Sequence, residues 1–259
     1  MESGVLAVNG MSMFFIAAGA GLPVLYIHGN TGSSRWWSRV MELPGYRTIA
    51  VDMPNFGASS PLEGEPDLHA YAEAVAGFME AMGLASAVVA GHSLGGAVAQ
   101  ALAIRHPDKV RALVLVDSGA PTGLVTPKER YPLIELMRMS REVLEKALQA
   151  VVSTLEDKEF FRELVDDAQK MAPRAWVGNA EALSRFDISA QCANYRGPVL
   201  VLRGELDPII TAAMAEETAR AYPNARLISL QGVGHSIIVE KPALFLKIMQ
   251  EYLAEIGVR

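Results

Sequence analysis

The chain has 259 residues, enough to bury the core of one large α/β domain, and its composition shows no break that would divide it into two. Hydrophobic residues make up 51% and charged residues 20%, and a formal net charge of −6 at pH 7 offers no basic stripe for a phosphate backbone, which argues against nucleic acid as a partner. The single cysteine, Cys192, excludes an internal disulfide, and neither the acidic start at Glu2 nor the short apolar run 13–18 fits an export signal or membrane anchor, so a cytoplasmic protein with no membrane partner is expected.

In chain order, the segments 5–8 and 11–17 flank Asn9-Gly10 and predict an antiparallel hairpin, because Asn-Gly accepts the positive φ angles of a tight primed turn. From Pro23 onward, short Val/Ile/Leu runs alternate with helical stretches, the signature of a parallel sheet covered on both faces. Strands are expected at 24–27, 47–51, 86–90, 112–116, 199–202 and 226–230. Between them, Leu68, Tyr71, Val75, Phe78, Met79 and Met82 fall on one face of a helix over 68–82, with Asp67 as N-cap and Gly83 as its stop. That stripe reads as core packing. His106-Pro107 ends a further helix, since proline disfavours helical geometry in the residue before it. The interval from 118 to about 195 breaks the alternation and holds three helical pieces without a strand. It reads as a cap (119–195) inserted into a core made of 1–118 and 196–259. Thr126-Pro127-Lys128-Glu129 has the residues of a capping box, so a helix is expected to start there and to be disturbed at Pro132. The longer cap helices are expected over 141–155 and 158–171.

The segment Ala90-Gly91-His92-Ser93-Leu94-Gly95-Gly96 carries the chemistry. A strand turning sharply into a helix here presents Ser93 on a strained corner that only small flanking residues fit. A serine hydroxyl is a weak nucleophile and needs a base within reach, itself oriented by a third group. Of the five histidines, His69 falls on a helix, His106 at a helix end, His28 reads as a structural turn residue, and His92 is expected to point away around the corner. His235, after the last strand, is the candidate base. Asp207, just past the strand 199–202, is the candidate acid that holds the imidazole in one tautomer, with Asp117 as its rival and otherwise a turn aspartate. Glu205 is assigned to solvent or an arginine. Acyl transfer also needs donors aimed at the developing oxyanion; the N–H of Leu94 is one, and Asn30, through its backbone or its side chain, is the other.

Together, His28-Gly29-Asn30, Asp52-Met53-Pro54-Asn55-Phe56-Gly57, Gly91-His92-Ser93-Leu94-Gly95-Gly96, Gly204-Glu205-Leu206-Asp207 and Gly232-Val233-Gly234-His235 closely resemble the α/β-hydrolase superfamily over nearly the whole chain outside the cap. The resemblance implies an eight-stranded, mostly parallel sheet, a helical cap after the sixth strand, and a Ser93, Asp207, His235 triad with Leu94 and Asn30 as oxyanion donors. The Asn30 loop, with Trp36 and Trp37 nearby, is similar to that of haloalkane dehalogenases. Those enzymes use an aspartate nucleophile, and Ser93 in its place would form an ether that water could not readily cleave. What remains resembles carboxylesterases, enol-lactonases and carbon–carbon bond hydrolases. The expected activity is therefore hydrolysis of a small ester-like acyl compound, a carboxylic ester or lactone, through an acyl-enzyme on Ser93, without metal or organic cofactor. The alternatives are a C–C bond hydrolase or acyltransferase with the same triad, or a small-molecule receptor with incidental hydrolysis. Trp37, Met137, Met139 and Trp176 are the candidate pocket residues.

Overall fold

A computed structural model describes residues 1–258. The chain opens as the hairpin β1 (Glu2–Val8) and β2 (Met11–Gly19), whose connecting residues Asn9 and Gly10 take φ of 49° and 83°. Six further strands follow: β3 (Leu22–Ile27), β4 (Tyr46–Val51), β5 (Ala87–His92), β6 (Val110–Val116), β7 (Val199–Gly204) and β8 (Ala225–Leu230). They form one sheet in the order β1-β2-β4-β3-β5-β6-β7-β8, in which β2 runs antiparallel to β1 and β4 and every later pairing is parallel. The inner strands are almost wholly buried because both sheet faces are covered, which is why they read as continuous apolar runs in the sequence.

Helix α1 (Leu68–Ala81) starts at Asp67, whose carboxylate accepts the His69 and Ala70 amides, and is followed by α2 (Leu94–Arg105). Between β6 and β7 lie α3 (Tyr131–Met139), α4 (Arg141–Val151), α5 (Lys158–Ala168) and α6 (Ala175–Arg185). The chain closes with α7 (Ala212–Ala221), the short α8 (Ile237–Glu240) and α9 (Pro242–Glu255).

Two expectations for the 119–195 interval are corrected. The residues 126–129 do not cap a long helix: a single 3-10 turn spans Lys128–Arg130, and Pro132 falls in the first turn of α3, where its missing N–H breaks no helical bond. The interval also holds a fourth α-helix, α6, which lacks a capping side chain and carries Gly178 in its interior. That glycine is there for packing, since a Cβ would stand 2.7 Å from Cγ of Pro66.

Polar ties join the α3–α6 segment to the connections that follow β3 and β4. The Asp167 carboxylate accepts from Ser33 Oγ at 2.7 Å and Arg35 Nε at 2.8 Å, Arg39 pairs with Asp157, and the Ala172 amide donates to the Asn55 carbonyl. Burial opposes a charge on Asp167, but hydrogen bonds from Lys170, Ser33 and Arg35 outweigh it and hold the carboxyl below the usual carboxylate range. Among the described residues no helix is long and apolar enough to cross a membrane.

Candidate active site

Ser93 sits between β5 and α2 with φ 53° and ψ −118°, a backbone region that costs an L-residue about 1–3 kcal/mol and persists only where its surroundings enforce it. The enforcement is close backbone packing. A Cβ on Gly91 would strike the Gly95 carbonyl, one on Gly95 the carbonyls of Ile27 and His28, and one on Gly96 the side chain of Ser118. The Ser93 amide donates to the Val116 carbonyl at 3.0 Å, fixing the corner to β6. Leu94, the first residue of α2, and Asn30, in the loop after β3, keep amide N–H groups without an intramolecular acceptor among the described residues.

The Asn30 side chain is held from the helical segment. Asn179 of α6 donates through Nδ2 to Asn30 Oδ1 at 2.8 Å and accepts from the Tyr71 hydroxyl at 2.9 Å, and Tyr71 in turn accepts from Asn55 Nδ2 at 2.8 Å. The sequence reading missed Asn179 and placed Tyr71 simply in the core. A polar residue on the otherwise apolar inner face of a helix was the available signal, and it was masked because α6 itself went unseen. His28 is wholly buried; its Nδ1 donates to the Gly29 carbonyl and its Nε2 accepts the Met53 amide, so it stays neutral, and burial lowers its pKa. This is the structural role expected of it.

The loops after β7 and β8 bring Asp207 and His235 together. His235 Nδ1 lies 2.8 Å from Asp207 Oδ2, and both side chains are shut off from solvent. Asp207 Oδ1 accepts the Ile209 and Ile210 amides at 2.7 and 3.0 Å. Burial works against a charge on this carboxyl, but His235 and the two amides prevail and keep its pKa below the ordinary value. The His235 amide donates to the Val151 carbonyl at the end of α4. Next to it, Glu240 accepts from the Ser236 and Thr154 amides and the Thr154 hydroxyl.

His92 departs from expectation. Its ring centroid is 5.0 Å from that of His235 and 5.6 Å from that of Trp36, on which it stacks, and its Nε2 is 2.9 Å from the His235 carbonyl and 3.0 Å from Ser236 Oγ. A carbonyl only accepts, so Nε2 carries the proton and Nδ1 is left as a buried acceptor. Burial, with His235 nearby, pushes the His92 pKa down to about 3. Glycine at position 29 makes room for the ring, since a Cβ there would lie 2.9 Å from Nδ1.

Ser93, His92 and His235 line one cavity of about 370 Å³ together with Asn30, Thr31, Trp36, Arg130, Ile134, Met137, Ala147, Leu148, Val151 and Ile209. No hydrogen bond joins Ser93 Oγ to His235 among the described residues. Of the expected pocket residues only Met137 lines this space. Trp37 is stacked on Tyr26 at 4.5 Å in the core, Trp176 is buried away from the cavity, and Met139 is 74% exposed on the outer side of α3. Trp36 takes the place expected of its neighbour, because the 3-10 turn Ser34–Val40 sends the two indoles to different sides. The one cluster among the described residues with donor spacing suited to a metal is Asp117, Asp207 and His235, and there the Asp207 and His235 donors are spent on each other.

A sheet whose carboxyl edge presents an elbow serine, an imidazole and a carboxylate under a layer of helices defines a class of proteins. Residues 23–242 match the family model described as alpha/beta hydrolase fold, and the chain belongs to that family. It is 30% identical over 242 residues to Lipase 1 of Psychrobacter immobilis, covering 85% of this chain and 73% of that protein. It is 29% identical over 257 residues to 2-hydroxymuconate semialdehyde hydrolase of Pseudomonas sp. (strain CF600), covering 92% of this chain and 89% of that one. The enol-lactonase from Burkholderia xenovorans LB400 superposes with a TM-score of 0.86 at 20% identity, over 97% of this chain and all of the other, a likeness of fold. Family and relatives alike support a hydrolase.

Proposed function

We propose that the protein is a serine hydrolase of small ester-like substrates, carboxylic esters or lactones, with Ser93 as nucleophile, His235 as general base and Asp207 as the group that orients it. The observation that carries this reading is the engagement of His235 Nδ1 by Asp207, which leaves Nε2 without a partner among the described residues, beside the cavity that the elbow serine lines. When substrate enters, Ser93 Oγ attacks the acyl carbon while its proton passes to His235 Nε2. The Asp207 carboxylate stabilises the imidazolium, which then protonates the leaving oxygen. The free amides of Leu94 and Asn30 meet the oxyanion, where each such donor is worth roughly 3 kcal/mol. Water repeats the sequence on the acyl-enzyme, again with His235 as base.

The walls above Ser93, from Trp36, Ile134, Met137, Leu148, Val151 and Ile209, are apolar and come largely from the 119–195 cap, and a cavity of about 370 Å³ suits a small molecule. The test is a panel of p-nitrophenyl esters, lactones and thioesters on purified protein, with a fluorophosphonate probe for Ser93. Ser93→Ala is expected to lower kcat by about a thousandfold or more and to abolish labelling while the fold is kept. Near-wild-type turnover in that variant overturns the mechanism. Acylation to one equivalent without later release marks a receptor, and preferred transfer to an added alcohol marks an acyltransferase.

A further inference from the structure

Two carboxyl groups, not one, stand behind His235. Asp117 is the first residue after β6, held at φ 45° by its amide bond to the Leu202 carbonyl, and its Oδ1 accepts the Gly204 amide at 2.7 Å. It therefore ties the end of β6 to the end of β7, the strand that leads to Asp207. Its second oxygen, Oδ2, is sealed from solvent and accepts from no donor among the described residues. Polar atoms of Asp117, Asp207 and His235 lie within 4.8 Å of one another. No cation pairs with Asp117 among the described residues; the charged groups acting on it are Asp207 and, from farther off, Glu240, with His235 behind Asp207. Asp207 already owes its charge to His235 and two amides, and a second buried carboxylate against it would face like charge in a dry site. A carboxylic acid at 117 removes both difficulties, because its hydroxyl gives the orphaned oxygen a donor's role.

We propose that Asp117 is kept as the neutral acid and that its Oδ2–H donates to the Asp207 carboxylate, which makes it a positioning residue for the Asp207–His235 pair. Burial first, and then the charge of Asp207, raise the Asp117 pKa well above the ordinary value, in agreement with this arrangement. The hydrogen bond gives the Asp207 carboxylate a further partner besides the imidazole and the two amides and draws off part of its negative charge. The kinetic consequence rests on the serine-hydrolase reading, whereas the proton itself does not.

Infrared difference spectra of the intact protein at pH 7 read that proton directly. The carbonyl band of a neutral carboxyl is expected in the wild type and absent from Asp117→Asn; no such band in the wild type overturns the proposal, whether or not any ester is turned over. Stability gives a second readout. A carboxyl whose folded pKa is raised costs nothing below its unfolded value near 3.9, and stability is lost as pH rises from there toward the folded value. Asp117→Asn is thus expected to gain in Tm on the wild type between pH 4 and pH 8, and a gap that does not widen counts against a neutral Asp117.

The third readout is the pH profile of kcat/KM on a p-nitrophenyl ester. Asn offers the same oxygen to Gly204 and an N–H to Asp207, so Asp117→Asn should stay within about threefold of the wild type with its acid limb unmoved. If Asp117 were charged, that substitution would remove a negative neighbour and shift the limb down by about one pH unit. Asp117→Ala withdraws the donor and should raise the limb by about half a unit while kcat falls roughly tenfold. An alanine variant that loses only thermal stability marks a structural residue and overturns the positioning role. Full turnover by Ser93→Ala would sink the mechanism instead, and leaves the infrared result standing.

Discussion

The carboxyl edge of the sheet and the helical segment between β6 and β7 are built on different principles, although both face the same cavity. At the sheet edge, the groups proposed to react are fixed by contacts that tolerate no added atom: glycines against carbonyls at positions 91 and 95, and a carboxylate satisfied by two amides and an imidazole. In the helical segment α4, α5 and α6 bury Leu144, Leu148, Phe160, Leu164 and Trp176 in the core and add a few polar ties, but α3 buries none of its residues, with Leu133, Leu136 and Met139 on its exposed side. The groups proposed to react lie where substitution is least forgiving, and the part of the wall that α3 supplies, Ile134 and Met137, lies where it is most forgiving. A fold arranged this way can change what it accepts without disturbing how it reacts.

The contrast can be broken most sharply at Gly95. In Gly95→Ala the new methyl meets the Ile27 and His28 carbonyls, backbone that cannot swing aside, and about 3 kcal/mol of stability is expected to go. The same shift should move the Leu94 amide and the Asn30 loop, for a loss of about a hundredfold or more in kcat/KM. Melting temperature and turnover of a short ester measure both. A smaller effect is expected where the two regions touch: Asn179→Ala strands Asn30 Oδ1 and the Tyr71 hydroxyl, costing about 1–3 kcal/mol and roughly tenfold in kcat/KM. The smallest belongs to the outer wall. Arg130 lines the cavity, is exposed, and has no ion-pair partner among the described residues. Arg130→Gln should therefore raise KM about three- to tenfold for the p-nitrophenyl monoester of a dicarboxylic acid at low salt, and leave a neutral ester unchanged. Equal effects on both esters would show that this wall reads shape alone.

The same contrast explains what could be read from the sequence. Strands buried on both faces are runs of Val, Leu, Ile and Ala, and the elbow announces itself because its glycines cluster within a few residues of Ser93, Gly91 against the Gly95 carbonyl locally, Gly95 and Gly96 against the ends of the neighbouring strands. Asp207 and His235 were found because each follows a strand, and strand ends share an edge. The helical segment was legible only where a helix was strongly amphipathic, as in α4 and α5. Helix α6, with an interior glycine and no cap, was not legible, and Asn179 went with it. Which of two adjacent indoles enters the cavity depends on how one 3-10 turn packs against Tyr26, a long-range fact that periodicity does not carry. His92 was misdirected for the same reason: local geometry gives the bend at Ser93, but the room over Gly29 comes from another strand.

The bond from the His235 amide to the Val151 carbonyl bears on how molecules enter and leave. Val151 closes α4, and lifting that helix would strip both groups of their partners at about 1–3 kcal/mol for each, while unseating the residue assigned to accept the proton. Rocking α3 outward, the helix with no buried side chain, carries no such penalty and opens the wall formed by Ile134 and Met137.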